Sequence, residues 1–261
     1  MLKALLNYRG FVLTSIRNEF FSRFAQSRLG GLWMIIHPLA QVTIFTLVLS
    51  NVLAAKLPGI ESQHAYPLYL MAGTLCWSLF SEIVSRCLNL FIENGNLLKK
   101  MNFPRITLPI IAVGSCLTNH LFLLVSVFVI FALLGHPPGL LALWVPVLTV
   151  TVACLAVSVG LILGILNVFM RDIGQIVPVI LQILYWLTPI VYPITTLPPQ
   201  YERWLDRNPL FPLVSAYQRV LVYDTSPDVS RLWPILLGAL ILLLIGLGLF
   251  RRASPELVDS L

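Results

Sequence analysis

Residues 106–170 read ITLPIIAVGSCLTNHLFLLVSVFVIFALLGHPPGLLALWVPVLTVTVACLAVSVGLILGILNVFM, with no Asp, Glu, Lys or Arg between Arg105 and Arg171. A water-soluble core does not run this far without a charge, and the stretch is too long for one bilayer crossing, which takes about 20 helical residues. Its middle is Gly135-His136-Pro137-Pro138-Gly139, a turn signal, because proline has no amide proton to give a helix interior. The stretch therefore divides into two apolar helices joined by a turn outside the hydrocarbon. Lipid suits such helices because each satisfies its own backbone hydrogen bonds.

Outward from there, further uncharged stretches occupy 29–55, 62–81, 173–201 and 232–250. Six spans are predicted, near 32–55, 66–88, 107–134, 141–168, 173–192 and 232–250. The composition agrees: 58% of residues are hydrophobic and 11% charged, against about 25% charged in a soluble domain. The expected fold is an all-α integral membrane protein, one transmembrane domain over 1–261. No cleavable signal peptide is expected, since charges run through the first 28 residues.

Six spans place both termini on one face, here called the terminal face. Twelve of the 17 basic residues fall there: Lys3, Arg9, Arg17, Arg23, Arg28, Arg86, Lys99, Lys100, Arg105, Arg171, Arg251 and Arg252. With the acids included, that face carries the whole net charge of +6 and the distal face carries none. The positive-inside rule makes the terminal face cytoplasmic.

Segment 3–26 repeats Leu5, Tyr8, Val12, Ile16, Phe20 and Phe24 at helical spacing with basic residues between, the pattern of an amphipathic interface helix. The loop 94–105 is short and basic, with Leu97, Leu98, Met101 and Phe103 as an apolar knob among its cations. After span 5, Pro189, Pro193, Pro198, Pro199, Pro209 and Pro212 forbid continuous helix. The segment 193–230 is predicted as a re-entrant or surface-lying hairpin with short helices at 200–207 and 210–223.

No phosphate-binding Gly-x-x-x-x-Gly-Lys-[Ser/Thr] loop, His-Glu-x-x-His pair or Gly-x-Ser-x-Gly elbow is present. His37, His64, His120 and His136 lack metal-ligand spacing, and Cys76, Cys87, Cys116 and Cys154 form no Cys-x-x-Cys pair. No catalytic or metal site is expected. Glu82 and Arg86 have the spacing of an intrahelical ion pair. No unpaired acid sits mid-span, which points to energy supplied by another subunit. The aromatics near span ends, among them Trp33, Tyr185, Trp186 and Tyr192, fit either an interfacial belt or rings lining a path for sugars.

Several motifs in order carry a resemblance. They are Gln26-Ser27-Arg28-Leu29-Gly30-Gly31-Leu32-Trp33 with Pro38-Leu39; Asn96-Leu97-Leu98-Lys99-Lys100 with Asn102-Phe103-Pro104; Asn167-Val168-Phe169-Met170-Arg171-Asp172-Ile173; and Leu187-Thr188-Pro189-Ile190-Val191-Tyr192-Pro193 followed by Asn208-Pro209. The chain resembles the permease subunit of ABC-2 type polysaccharide exporters, most of all the O-antigen branch. That resemblance implies a homodimer with two ATP-binding subunits and no nucleic-acid partner. ATP and magnesium would belong to the partner, and the substrate would be an undecaprenyl-diphosphate-linked glycan in the bacterial inner membrane. It further implies ATPase coupling through Arg9, Arg17, Leu97, Leu98, Lys99, Lys100, Phe103 and Arg105, and a channel or gate at Trp33, Tyr185, Trp186, Tyr192 and Tyr217. Arg28 and Arg171 would attract the lipid diphosphate. A drug exporter of the same family and a membrane transferase remain alternatives; the transferase would need clustered acids, and Glu202, Asp206, Asp224 and Asp228 are interspersed with Arg203, Arg207, Arg219 and Arg231.

The topology makes a direct prediction. A single cysteine placed in the 135–139 turn of a cysteine-free variant reacts with an impermeant thiol reagent added outside the cell; reaction only from the cytoplasm contradicts the orientation.

Overall fold

The computed structural model describes residues 8–25, 29–44, 65–95, 99, 104–194, 198, 204–205 and 207–253, and among them every regular element is helical. We number the helices α1 (Arg9–Ala25), α2 (Trp33–Ile44), α3 (Ala65–Glu93), α4 (Thr107–Leu133), α5 (Val145–Phe169), α6 (Ile173–Leu187), α7 (Leu210–Leu221) and α8 (Val229–Ala253). Among the described residues, four helical stretches are long and apolar enough to cross a membrane: α3, α4, α5 with the 3₁₀ turn before it, and α8. At 29 residues, α3 is about 43 Å long and exceeds the roughly 30 Å hydrocarbon. The continuation of the first predicted span beyond 44 lies outside the described residues.

The expected division of 106–170 is present. α4 ends at Leu133, Gly135 follows with φ of +80°, and helix resumes after Gly139. A left-handed φ is one glycine adopts without a Cβ penalty. One end of the bundle gathers the C-termini of α3, α5 and α8 with the start of α4, where Phe91 stacks on Phe250 at 5.7 Å among Ile106, Ile165 and Val168. The other end gathers the 134–145 turn, the start of α3 and α7, where His136 Nε2 lies 3.2 Å from the Leu221 carbonyl. The alternation of helix directions thus matches the two faces read from charge.

α3 and α5 form the centre. Their surfaces meet at Gly160 and Gly164, one turn apart on α5. A Cβ at Gly160 would lie 2.8 Å from Cys87 Cβ and 3.2 Å from Val84 Cα, and one at Gly164 would strike the Cys87 carbonyl. Small residues at this spacing let two backbones approach, which is how helices gain packing where lipid supplies no hydrophobic drive. Asn167 Nδ2 donates to the Leu88 carbonyl at 2.9 Å one turn further on. The thiols of Cys76, Cys87 and Cys116 are buried as packing groups in this core.

Two expectations need correction and a third is narrowed. The span predicted over 173–192 ends at Leu187, because Pro189 disfavours helix at the residue before it, and Thr188 is extended at φ −90°, ψ 132°. Of the two placements expected for the hairpin, re-entrant or surface-lying, α7 does not take the second: Leu210, Leu213, Val214, Tyr217, Val220 and Leu221 are all buried, and the helix packs against α3 and α5. Arg86 does not pair with Glu82; it pairs with Glu19 of α1, while Glu82 accepts Asn119 Nδ2 at 3.2 and 3.1 Å.

Replacing Gly164 with Ala places a methyl against backbone that cannot move aside, at a cost of about 1–3 kcal/mol. The melting temperature in detergent should fall, while Gly248→Ala on α8, where a Cβ meets nothing within 4 Å, should not lower it, alanine being the better helix former.

Candidate functional site

Where α6 stops, the chain enters the protein interior as irregular backbone, with Thr188, Pro189 and Ile190 fully or almost fully buried. Backbone of this kind is stable at membrane depth only when protein satisfies its polar groups. Here it does. The Thr188 hydroxyl donates to the Leu184 carbonyl at 2.7 Å and accepts Asn208 Nδ2 at 2.9 Å. Asn208 Oδ1 accepts the Leu210 amide at 3.0 Å, capping the start of α7. One asparagine therefore ties the end of α6 to the beginning of α7.

The next carbonyls are held by side chains from two other helices. Pro189 O accepts long bonds from Gln218 Nε2 of α7 (3.4 Å) and Tyr69 OH of α3 (3.5 Å), and Val191 O accepts Tyr66 OH. Tyr192 OH turns back to the Trp186 carbonyl at 3.0 Å. Rings cluster around this clamp: Tyr66 stacks on Tyr69 at 6.5 Å, Tyr69 meets Tyr223 edge-on at 6.4 Å, and Tyr185 meets Trp77 at 5.5 Å and Trp186 at 5.7 Å. Tyr66 and Tyr69 are buried, whereas Trp186 is 59% exposed, so the outer rings of the cluster are the ones open to stacking.

α1 lies along α4. Ile16 presses on Gly114, Phe20 stacks on Phe122 with centroids 4.8 Å apart, and Glu19 meets Arg86 of α3. Arg9 and Arg17 are exposed, Arg17 lying 5.7 Å over the Phe21 ring. At the terminal face, Arg105 is half-buried just before α4, and Lys99, between α3 and α4 in the chain, is exposed. Arg171 and Asp172 are exposed in the α5–α6 turn of the same end.

An ABC-2 type transporter family model matches residues 11–222, most of the chain. The chain belongs to the ABC-2 type transporter family. Across its full length it is 26% identical to the O-antigen export system permease protein RfbA of Myxococcus xanthus (99% of that protein covered) and 27% identical to the protein of the same name from Klebsiella pneumoniae (98% covered). It is 25% identical over 93% of both chains to the polysialic acid transport protein KpsM of Escherichia coli.

In this ABC-2 chain the residues expected at the channel separate into three groups. Tyr185, Trp186 and Tyr192 converge at the clamp. Trp33 is 43% exposed at the start of α2. Tyr217 is fully buried, and its hydroxyl lies 2.8 Å from Thr149 Oγ1. Arg28, Leu97, Leu98, Lys100 and Phe103 lie outside the described residues. Sequence reasoning missed Gln218, Asn208 and Glu19. Gln218 carried a signal, being one polar residue within the apolar face of α7, and a buried amide on such a face needs a partner.

Tyr217→Phe removes a buried hydrogen bond worth about 1 kcal/mol. The melting temperature should fall by about 2–4 °C with polysaccharide export retained; lost export at unchanged stability would return Tyr217 to the channel.

Proposed function

We propose that this chain is the membrane-spanning permease of an ATP-driven exporter that moves a lipid-diphosphate-linked polysaccharide of the O-antigen type across the bacterial inner membrane. The observation that carries this reading is the full-length similarity to O-antigen export and polysialic acid transport proteins, in a chain with no nucleotide-binding motif of its own. Hydrolysis of ATP, with its magnesium, then falls to a separate ATP-binding subunit, two copies of which would dock on the cytoplasmic, terminal face. Six crossings are proposed, the first taking in α2 and the fifth α6.

A homodimer is supported by α6. Ile176, Val179, Ile180, Ile183, Trp186 and Leu187 are each more than half exposed, and they repeat at helical spacing as one unpartnered apolar face. Two such faces, one from each copy, would flank a path whose distal end is the clamp. The basic residues at the terminal face suit attraction of a diphosphate, with Arg28 and Arg171 as the proposed first contacts. Movement of the ATPase would act on α1 and on the α3–α4 connection together, because the Glu19–Arg86 pair joins α1 to α3. The clamp, fastened by hydrogen bonds from α3 and α7, would then act as the outer gate.

Replacing Lys99, Lys100 and Arg105 together with Glu reverses the charge of the proposed docking loop. In cells lacking the native chain, this variant should leave lipid-linked glycan on the cytoplasmic side and little at the surface. Normal surface polysaccharide would remove the coupling role.

A further inference from the structure

Between α7 and α8, on the distal face, lies a cavity of about 570 Å³ whose two ends differ in chemistry. At its mouth stand Arg207, just before α7, with Ser230 and Arg231 in the first turn of α8. Below them Pro234, Gly238 and Leu242 line a slot at intervals of four residues, one face of α8. Leu155 of α5 and the fully buried Ala239 close its floor. Gly238 keeps the slot open, since a Cβ there would meet nothing within 4 Å. From Arg231 to Leu242 the helix rises about 16 Å, close to half of the roughly 30 Å hydrocarbon, the depth of one leaflet.

The mouth sits at headgroup level. Trp204 and Trp233 beside it are 69% and 58% exposed, as aromatics at a membrane interface are, and the Arg207 guanidinium lies 5.2 Å over the Trp204 ring. A second cavity of about 200 Å³ shares Arg231 and reaches Arg219 and Asp228. The Asp228 carboxylate is engaged locally, accepting the Ser230 hydroxyl at 2.7 Å and lying 3.4 Å from Arg231 Nε. The described charged residues of the two cavities are thus three arginines and one aspartate, a local positive surplus on a face whose total charge is zero.

We propose that this cavity holds one anionic phospholipid of the distal leaflet, its phosphodiester between Arg207 and Arg231 and an acyl chain in the slot past Gly238. Cationic side chains at the surface above an apolar groove one leaflet deep match such a molecule end for end. A soluble phosphate matches only the mouth, and guanidinium–phosphate contacts without a buried chain are weak beside the two together. The lipid would fill the gap between α7 and α8, and α7 carries Gln218, which holds Pro189. The assignment does not depend on what the chain transports.

The test is native mass spectrometry of the full-length protein extracted from bilayers of phosphatidylglycerol and phosphatidylethanolamine. Wild type should retain one phosphatidylglycerol per chain in preference to phosphatidylethanolamine. Gly238→Leu fills the slot from a position where a Cβ meets nothing within 4 Å, and Arg207→Gln with Arg231→Gln removes the mouth charge; each should lower retention about tenfold. Millimolar inorganic phosphate should not displace the lipid. Equal retention in both variants, displacement by phosphate, or preferential displacement by a polyprenyl phosphate would each overturn the assignment.

Discussion

The close approach of α3 and α5 at Gly160 and Gly164 is the contact on which the rest of the architecture stands. In lipid, apolar side chains gain little by meeting one another rather than acyl tails, so association rests on packing and on interhelical hydrogen bonds. The two glycines bring backbone to within contact of Val84 and Cys87, and the Asn167 amide fastens the same seam to Leu88. α8 packs on the other side of α5, and α4 and α7 pack on α3. Remove the seam and these helices lose their common support.

The clamp after α6 is a consequence of that frame. Tyr66 and Tyr69 reach the carbonyls of Val191 and Pro189 because α3 is fixed along α5, and Gln218 reaches Pro189 because α7 is packed against both. Prolines that break the helix free backbone groups, and a rigid neighbour then satisfies them. The result is a non-helical segment held by side-chain bonds from several helices. A comparable link is the Glu19–Arg86 ion pair, which joins α1 to α3.

Much of this could be read in the residues. The uncharged run 106–170 and its proline turn foretold α4 and α5, and the basic surplus distinguished the two faces that the helix directions reproduce. Helical spacing marked the buried face of α7 but not its depth, because a proline-rich connection reads alike on a surface or inside a bundle. Arg86 was assigned to Glu82 by spacing; its actual partner, Glu19, is distant in sequence, and no local pattern announces a long-range pair. Tyr217 read as a channel aromatic because position in the chain cannot tell a ring in the core from a ring on a wall. The glycine seam carried a signal, two small residues four apart within an apolar helix, though only the structure shows what they press against.

Membership in the ABC-2 family, the full-length similarity to polysaccharide permeases and a clamp built of tyrosines and amides converge on one account: a transport channel powered by a partner. The most direct test is ATP hydrolysis by this chain purified with its ATP-binding subunit and reconstituted in lipid. The account predicts that adding a lipid-diphosphate-linked glycan raises the hydrolysis rate. No response to the glycan, with stimulation instead by a hydrophobic drug, would contradict it.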